Sequence, residues 1–242
     1  IGRQTNFSKG YRTMDKNYIE SVWWVFNELT KKDLVYRGYR IMPYSIACQT
    51  PLSNFEASQS YKIKEDRSAY VKFPFVFEKN KSFIAWTTTP WTLTSNLALS
   101  INSKIEYCEI KPNDSDEIWI IAKECLKNLF GKKLKGFQII DTKMGEYYLH
   151  TQYIPPFYYF EDFRKQGCFC VLDADFVNTE SGTGIVHTAP AFGQDDFETC
   201  VNVHSIIDTR DIGLVCPVDS MGRFEEHIDR YKNIVVNDAN DL

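Results

Sequence analysis

The sequence predicts an α+β fold: a compact β-barrel-like core with peripheral helices. Three observations carry that expectation. Short apolar or alternating runs at 69–77, 82–88, 105–111, 117–121, 136–141, 146–154, 168–173 and 184–188 have strand character. Turn residues separate them, as in Pro112-Asn113-Asp114 and Asp141-Thr142-Lys143. Few segments have helical spacing, so strands build the core and helices decorate it. No internal repeat or low-complexity tract is present.

From Asp15 to about Lys32, Tyr18, Ile19, Val22, Trp23, Phe26 and Leu29 recur at helical spacing and predict an amphipathic helix. Phe83-Ile84-Ala85-Trp86 reads as a buried strand running into Thr87-Thr88-Thr89. Consecutive threonines suit a strand end. Pro90 suits the first turn of a helix, with Thr89 as its cap. The chain is therefore expected to pass from strand to helix here, with a row of hydroxyls at the junction. Such junctions bring free N–H groups and hydroxyls together and often line pockets. Lys123 to Phe130 predicts a second helix, closed by Gly131. Further on, Gly182 and Gly184 permit positive φ or close approach. Ile185-Val186 is a short strand ending at His187. Pro190 and Gly193 form a loop, and Asp195-Asp196 opens a helix to about His204. Each part also has a plain reading: a threonine-rich strand end, a hydrogen-bonded structural histidine, and first-turn carboxylates favoured by the helix dipole.

A chain of 242 residues, 43% hydrophobic and 25% charged, can bury a full core. The aromatic share of 15% is assigned first to that core. A net charge of −4 and a pI near 5.7 exclude a general nucleic-acid binder. Any RNA contact must come from local patches such as Lys123, Lys127, Lys132, Lys133 and Lys135, or Lys62, Lys64 and Arg67. Each patch also reads as a solvated face. The seven cysteines, Cys48, Cys108, Cys125, Cys168, Cys170, Cys200 and Cys216, form no C-x-x-C pair, so no metal site is expected. Reduced thiols in the cytosol are the simplest account. The N-x-S/T matches at Asn6, Asn80 and Asn113 carry no weight without a signal peptide or a transmembrane-length apolar run. Ile1 is expected to be a boundary of the fragment.

The Thr87–Asn96 and Ser181–Phe197 segments together resemble the editing (connective-peptide) domain of isoleucyl-tRNA synthetases, an insertion in the catalytic domain of the class I synthetases for isoleucine, valine and leucine. Valine and leucine relatives carry Thr-Thr-Arg-Pro, whereas the third position here is Thr89. The valine relatives have lysine in place of His187. Tyr44 to Glu56 and Ala69 to Phe75 look like the eukaryotic cytosolic form, and Tyr11 to Phe26 resembles the stretch that enters the insertion. Thr94 departs from the proline of many relatives, a mild change because proline only stiffens that position. No His-Ile-Gly-His-type or Lys-Met-Ser-Lys-Ser-type motif is present. His150, His187, His204 and His227 stand apart, and no phosphate-binding glycine motif occurs.

The resemblance implies an excised proofreading module with an entering arm over 1–42, an editing domain over 43–228 and an exit arm over 229–242. It implies hydrolysis of Val-tRNA of the isoleucine acceptor and allows that of valyl adenylate. Thr87, Thr88 and Thr89 would line the pocket for the misattached amino acid and terminal adenosine. His187 would block the larger side chain. Asp196, nine positions after His187, would bind the substrate ammonium. Trp91, Asn96 and Asp195 would contribute to substrate binding. No cofactor is implied for this domain; ATP belongs to the absent catalytic part. The implied partners are a mischarged tRNA acceptor 3′ end and the parent catalytic domain, in the cytoplasm and without a membrane. Water attack on an already activated ester is favoured over a protein nucleophile, with His187 as a general base the other possibility. No Ser lies in a G-x-S-x-G setting. The competing functions are a non-catalytic acceptor-end docking module and an unrelated small-ester hydrolase.

Overall fold

The computed structural model describes residues 6, 9–59, 61–63, 65, 67–209 and 214–240. The chain divides into two compact units, Ile1–Tyr39 and Arg40–Leu242. The first holds helix α1 (Lys16–Lys31), which matches the helical spacing of the sequence. Tyr11 meets Tyr18 edge-on at 5.5 Å, and Lys16 pairs with Glu20 one turn on.

The second unit begins with a two-stranded hairpin, β1 (Tyr44–Ser45) and β2 (Thr50–Pro51). A single turn, α2 (Asn54–Ala57), follows, started by a capping box in which the Ser53 and Glu56 side chains serve each other's backbone N–H. Then come β3 (Ala69–Pro74), β4 (Lys81–Thr87), β5 (Ala98–Ile101), β6 (Glu106–Pro112), β7 (Ile118–Ala122), α3 (Cys125–Phe130) and β8 (Phe137–Met144). The chain ends with β9 (Cys170–Asp173), β10 (Val186–Thr188), α4 (Gln194–Phe197) and α5 (Val236–Ala239). The larger sheet has the order β3-β4-β7-β6-β8, antiparallel except for the parallel pair β4–β7. The smaller has the order β10-β5-β9, with β10 antiparallel and β9 parallel to β5. The architecture is α+β as expected; its sheets stay open, and none closes into a barrel.

Apolar strand faces meet in one core that contains Phe73, Phe83, Leu97, Ile101, Ile110 and Ile120. Aromatic rings supply much of it: Phe73 meets Tyr153 at 5.4 Å and Phe83 meets Tyr148 at 5.8 Å, both edge to face. A smaller cluster of Phe224, Ile228, Val236 and Ala239 packs with Trp91 and Tyr231. Residues 229–240 of the expected exit arm thus pack within this unit, and 241–242 lie outside the described residues.

Two differences from the expected elements have physical causes. The run 146–154 is not a strand. A 3₁₀ turn, Gly145–Tyr148, folds Tyr148 into the core, and His150 takes a positive φ of 61°. Gly145 is required there because an added Cβ would lie 2.2 Å from the Asn102 carbonyl oxygen. Only isolated bridges, Phe75 with Tyr153 and Gln152 with Cys170, remain from that segment. Conversely, the strands expected from sequence do not include β5, the central strand of the smaller sheet. Leu97, Leu99 and Ile101 alternate there with Asn96, Ala98 and Ser100, but Asn and Ala are weak strand formers, and all four residues of β5 are buried.

Candidate functional site

The threonine segment lies where β4 ends. After Thr87 the chain turns through Thr88 and Thr89 into a 3₁₀ helix, Pro90–Ser95, with Pro90 in its first turn. Thr89 occupies the cap position without a capping side chain; its carbonyl accepts from the Thr92 backbone N–H at 3.0 Å. The Thr87 hydroxyl accepts from the Thr89 N–H at 3.1 Å. Thr87, Thr89 and Thr92 hydroxyls form a row, separated by 3.4 and 3.5 Å.

β5 follows that turn directly, and β10 pairs with it in the register His187↔Leu99. This pairing sets His187 beside the threonine turn. Its Nε2 lies 2.9 Å from the Thr92 hydroxyl and its Nδ1 lies 2.9 Å from the Asn96 amide nitrogen. The Asn96 amide is oriented by its other partners: it donates to the Ala98 carbonyl at 2.9 Å and accepts from the Tyr153 hydroxyl at 2.6 Å. Burial alone pushes the imidazole pKa down to about 4, so the ring is neutral at neutral pH.

Upstream of β10, Gly182 and Gly184 both take φ of +72°. Gly184 must lack a side chain, since a Cβ there would meet the Ala122 methyl at 2.4 Å. After β10 the loop reaches Gly193 and α4, which continues as a π-helical segment, Glu198–Val203, capped at His204. The expected helix from Asp195 to His204 is present in this form. Asp196 turns back and accepts from the Ala189 N–H at 2.7 Å. Burial raises its carboxyl to about 6, opposed by that hydrogen bond and aided by Asp195. Gly193 lets the carboxylate settle, because a Cβ would stand 2.8 Å from its carbon.

One cavity of about 380 Å³ is lined by Thr87, Thr88, Thr89, His187 and Asp196 together, a size typical of small-molecule sites. Its lining also includes Thr92, the Gly182–Gly184 turn and Gly193. Trp91, Asn96 and Asp195 are not in the lining. Trp91 packs edge-on against the lining residue Phe192 at 4.6 Å. Asn96 is buried behind His187, and Asp195 is exposed. Sequence reading did not single out Thr92 or Tyr153. Thr92 stands three positions after Thr89, one turn of a 3₁₀ helix, which is a usable signal; nothing local marks Tyr153.

Among the described residues, no group of three or more His, Cys, Asp or Glu is arranged to hold a metal ion. The seven cysteines are free thiols. No helix among the described residues is long and apolar enough to cross a membrane. In the basic patches, Lys123 pairs with Glu106 at 2.7 Å, and Lys132, Lys133 and Lys135 follow α3 in a 3₁₀ turn. Lys64 lies outside the described residues.

Comparison with known proteins gives consistent matches. The family profile described as "tRNA synthetases class I (I, L, M and V)" matches residues 1–155. A protein named probable isoleucine–tRNA ligase, cytoplasmic, from Dictyostelium discoideum is 44% identical over 241 residues, covering 99% of this chain and 22% of that protein. The isoleucine–tRNA ligase, cytoplasmic, of Mus musculus is 43% identical over 239 residues, covering 99% of this chain and 19% of that protein. The chain therefore spans about a fifth of the length of these relatives. Among solved structures, one titled "The crystal structure of GlLeuRS-CP1" aligns with a TM-score of 0.49 at 16% identity, over 63% of this chain and 70% of that one.

Proposed function

Because the chain belongs to the class I tRNA synthetases of the I, L, M and V group, we propose that its cavity is a proofreading site that hydrolyses valine from mischarged isoleucine tRNA. The same cavity would also accept valyl adenylate. One observation supports this above the others: Thr87, Thr88, Thr89, His187 and Asp196, drawn from two distant segments, line a single hollow.

Isoleucine exceeds valine by one methylene, and a hydrophobic synthetic pocket extracts only about 1–3 kcal/mol from that difference, a limit for which the isoleucine synthetases are themselves the standard illustration. A second site that admits the smaller group and sterically excludes the larger removes the error, because overpacking is costly. In this reading Asp196 anchors the α-ammonium by a charge-assisted contact. The threonine hydroxyls hold the ester carbonyl, the ribose hydroxyl and a water, since each both donates and accepts. His187 is the wall against the extra methyl. Water attacks the ester carbonyl, the bond to the ribose oxygen breaks, and that oxygen leaves with a proton as the tRNA hydroxyl. A protein nucleophile is unnecessary for so reactive an ester. His187 is a poor general base, because its pKa of about 4 is far from the operating pH and both ring nitrogens are engaged.

The tRNA acceptor 3′ end is the proposed partner, presented by the catalytic domain of the parent synthetase in the cytoplasm. No cofactor takes part in the proposed step, and ATP is reserved for that catalytic domain. The test is to incubate the chain with Val-tRNA and Ile-tRNA of the isoleucine acceptor and follow release of the amino acid. Loss of valine alone is the expected result. Retained binding without any loss would indicate a docking module, and equal loss of both would remove the steric sieve.

A further inference from the structure

Resting on the proofreading reading, we propose that Tyr153, acting through Asn96, and Thr92 are positioning residues that hold His187 in its Nε2–H tautomer, leaving only ring carbons to face the substrate. The assignment follows from which groups can donate. The Ala98 carbonyl only accepts, so the Asn96 atom 2.9 Å from it must be the amide nitrogen. The Tyr153 hydroxyl donates to the opposite atom, the Asn96 oxygen, at 2.6 Å. The amide nitrogen therefore spends its second hydrogen on His187 Nδ1 at 2.9 Å, and Nδ1 must carry the lone pair. The ring proton then sits on Nε2 and is given to the Thr92 hydroxyl at 2.9 Å. Thr92 passes its own proton to the Thr89 carbonyl at 2.8 Å. The Thr89 carbonyl, which also accepts from the Thr92 backbone N–H at 3.0 Å, ends the line.

The line is anchored in the core. Tyr153 is fully buried and meets Phe73 and Phe169 edge-on at 5.4 and 6.3 Å. Its hydroxyl has little freedom to go elsewhere, so the aromatic core fixes the amide, the amide fixes the imidazole, and the imidazole braces the threonine turn. A gate that must resolve one methylene needs this stiffness, since a ring free to rotate would admit the larger side chain. Both nitrogens are consumed by the protein, so the wall offers the substrate no proton chemistry.

The test is ¹⁵N NMR of the His187 imidazole in the whole chain at neutral pH, together with deacylation of Val-tRNA and Ile-tRNA. The expected spectrum is a neutral ring with Nε2 protonated. Asn96→Asp places an acceptor beside Nδ1 and should move the proton to Nδ1 or charge the ring. Tyr153→Phe removes a single hydroxyl and should lower discrimination between the two esters by about tenfold, the scale of one buried hydrogen bond. Thr92→Val should do the same, while Thr92→Ser should restore selectivity, which a purely space-filling role would not give. A wild-type ring protonated on Nδ1, or an Asn96→Asp ring unchanged in protonation, would overturn the proposal. If the wild-type chain hydrolysed neither ester, the proofreading reading would fall, while the tautomer spectrum would still decide the positioning role.

Discussion

Asp196 and His187 are both displaced from their ordinary pKa values by burial, in ways that oppose each other. Asp196 rises from 3.8 to about 6 and His187 falls from 6.5 to about 4. The folded state therefore holds on to a proton at Asp196 as pH rises from about 3.8 to 6; the stability this gives is present below that window and lost across it. At His187 the folded state refuses a proton, so its contribution is present above about 6.5 and lost as pH falls toward 4. Replacing Asp196 by Asn keeps an acceptor for the Ala189 N–H and removes the charge. The variant should be more stable than the parent at neutral pH by about 1–3 kcal/mol, read from denaturant unfolding, while losing valine hydrolysis. An Asp196→Ala variant that still hydrolysed Val-tRNA at the parental rate would take Asp196 out of the site. In the parent, the proposed hydrolysis should decline as pH falls below about 6, where Asp196, the proposed ammonium anchor, is neutralised. His187→Ala should open the pocket to Ile-tRNA. Intact Ile-tRNA in that variant would mean the gate lies elsewhere. At this scale the sequence was informative about Thr87, Thr88, Thr89, His187 and Asp196, because a family resemblance attaches to each. It was silent on Tyr153, whose proposed role rests on a hydrogen bond across 57 residues that no local pattern encodes.

At the scale of elements, β4 and the Pro90 turn were legible because proline and threonine have strong positional preferences. β5 was not: Leu97, Leu99 and Ile101 alternate with Asn96, Ala98 and Ser100, but the run is short and its Asn and Ala have weak strand preference. The segment 146–154 misled for the opposite reason: its aromatic spacing imitates a strand, while Gly145 and His150 turn the backbone. The glycine turn before β10 belongs to this scale too. Gly184 combines a φ of +72° with a contact that leaves no room for a methyl. Gly184→Ala should cost about 1–3 kcal/mol through strain and overpacking, measurable as a lowered unfolding midpoint. Full retention of stability would show that the Ala122 side chain yields freely. Gly193 has ordinary φ, so Gly193→Ala should spare stability more and instead displace the Asp196 carboxylate, weakening valine hydrolysis.

For the molecule as a whole, composition identified an ordinary globular chain and mixed strand and helix content identified the class. The openness of the sheets follows from long-range pairing that composition does not specify. The hollow beside β5 has a consequence for how the protein comes into being. Asn96 and His187 are 91 positions apart, and β5 pairs with β9 on one side and with β10 on the other. Gathering such remote partners costs loop-closure entropy and delays folding. A nascent chain that has released only its amino-terminal half thus carries the threonines without their counterpart, and the proposed hydrolytic competence should arise late, only once His187 and Asp196 in the last third of these 242 residues have been made.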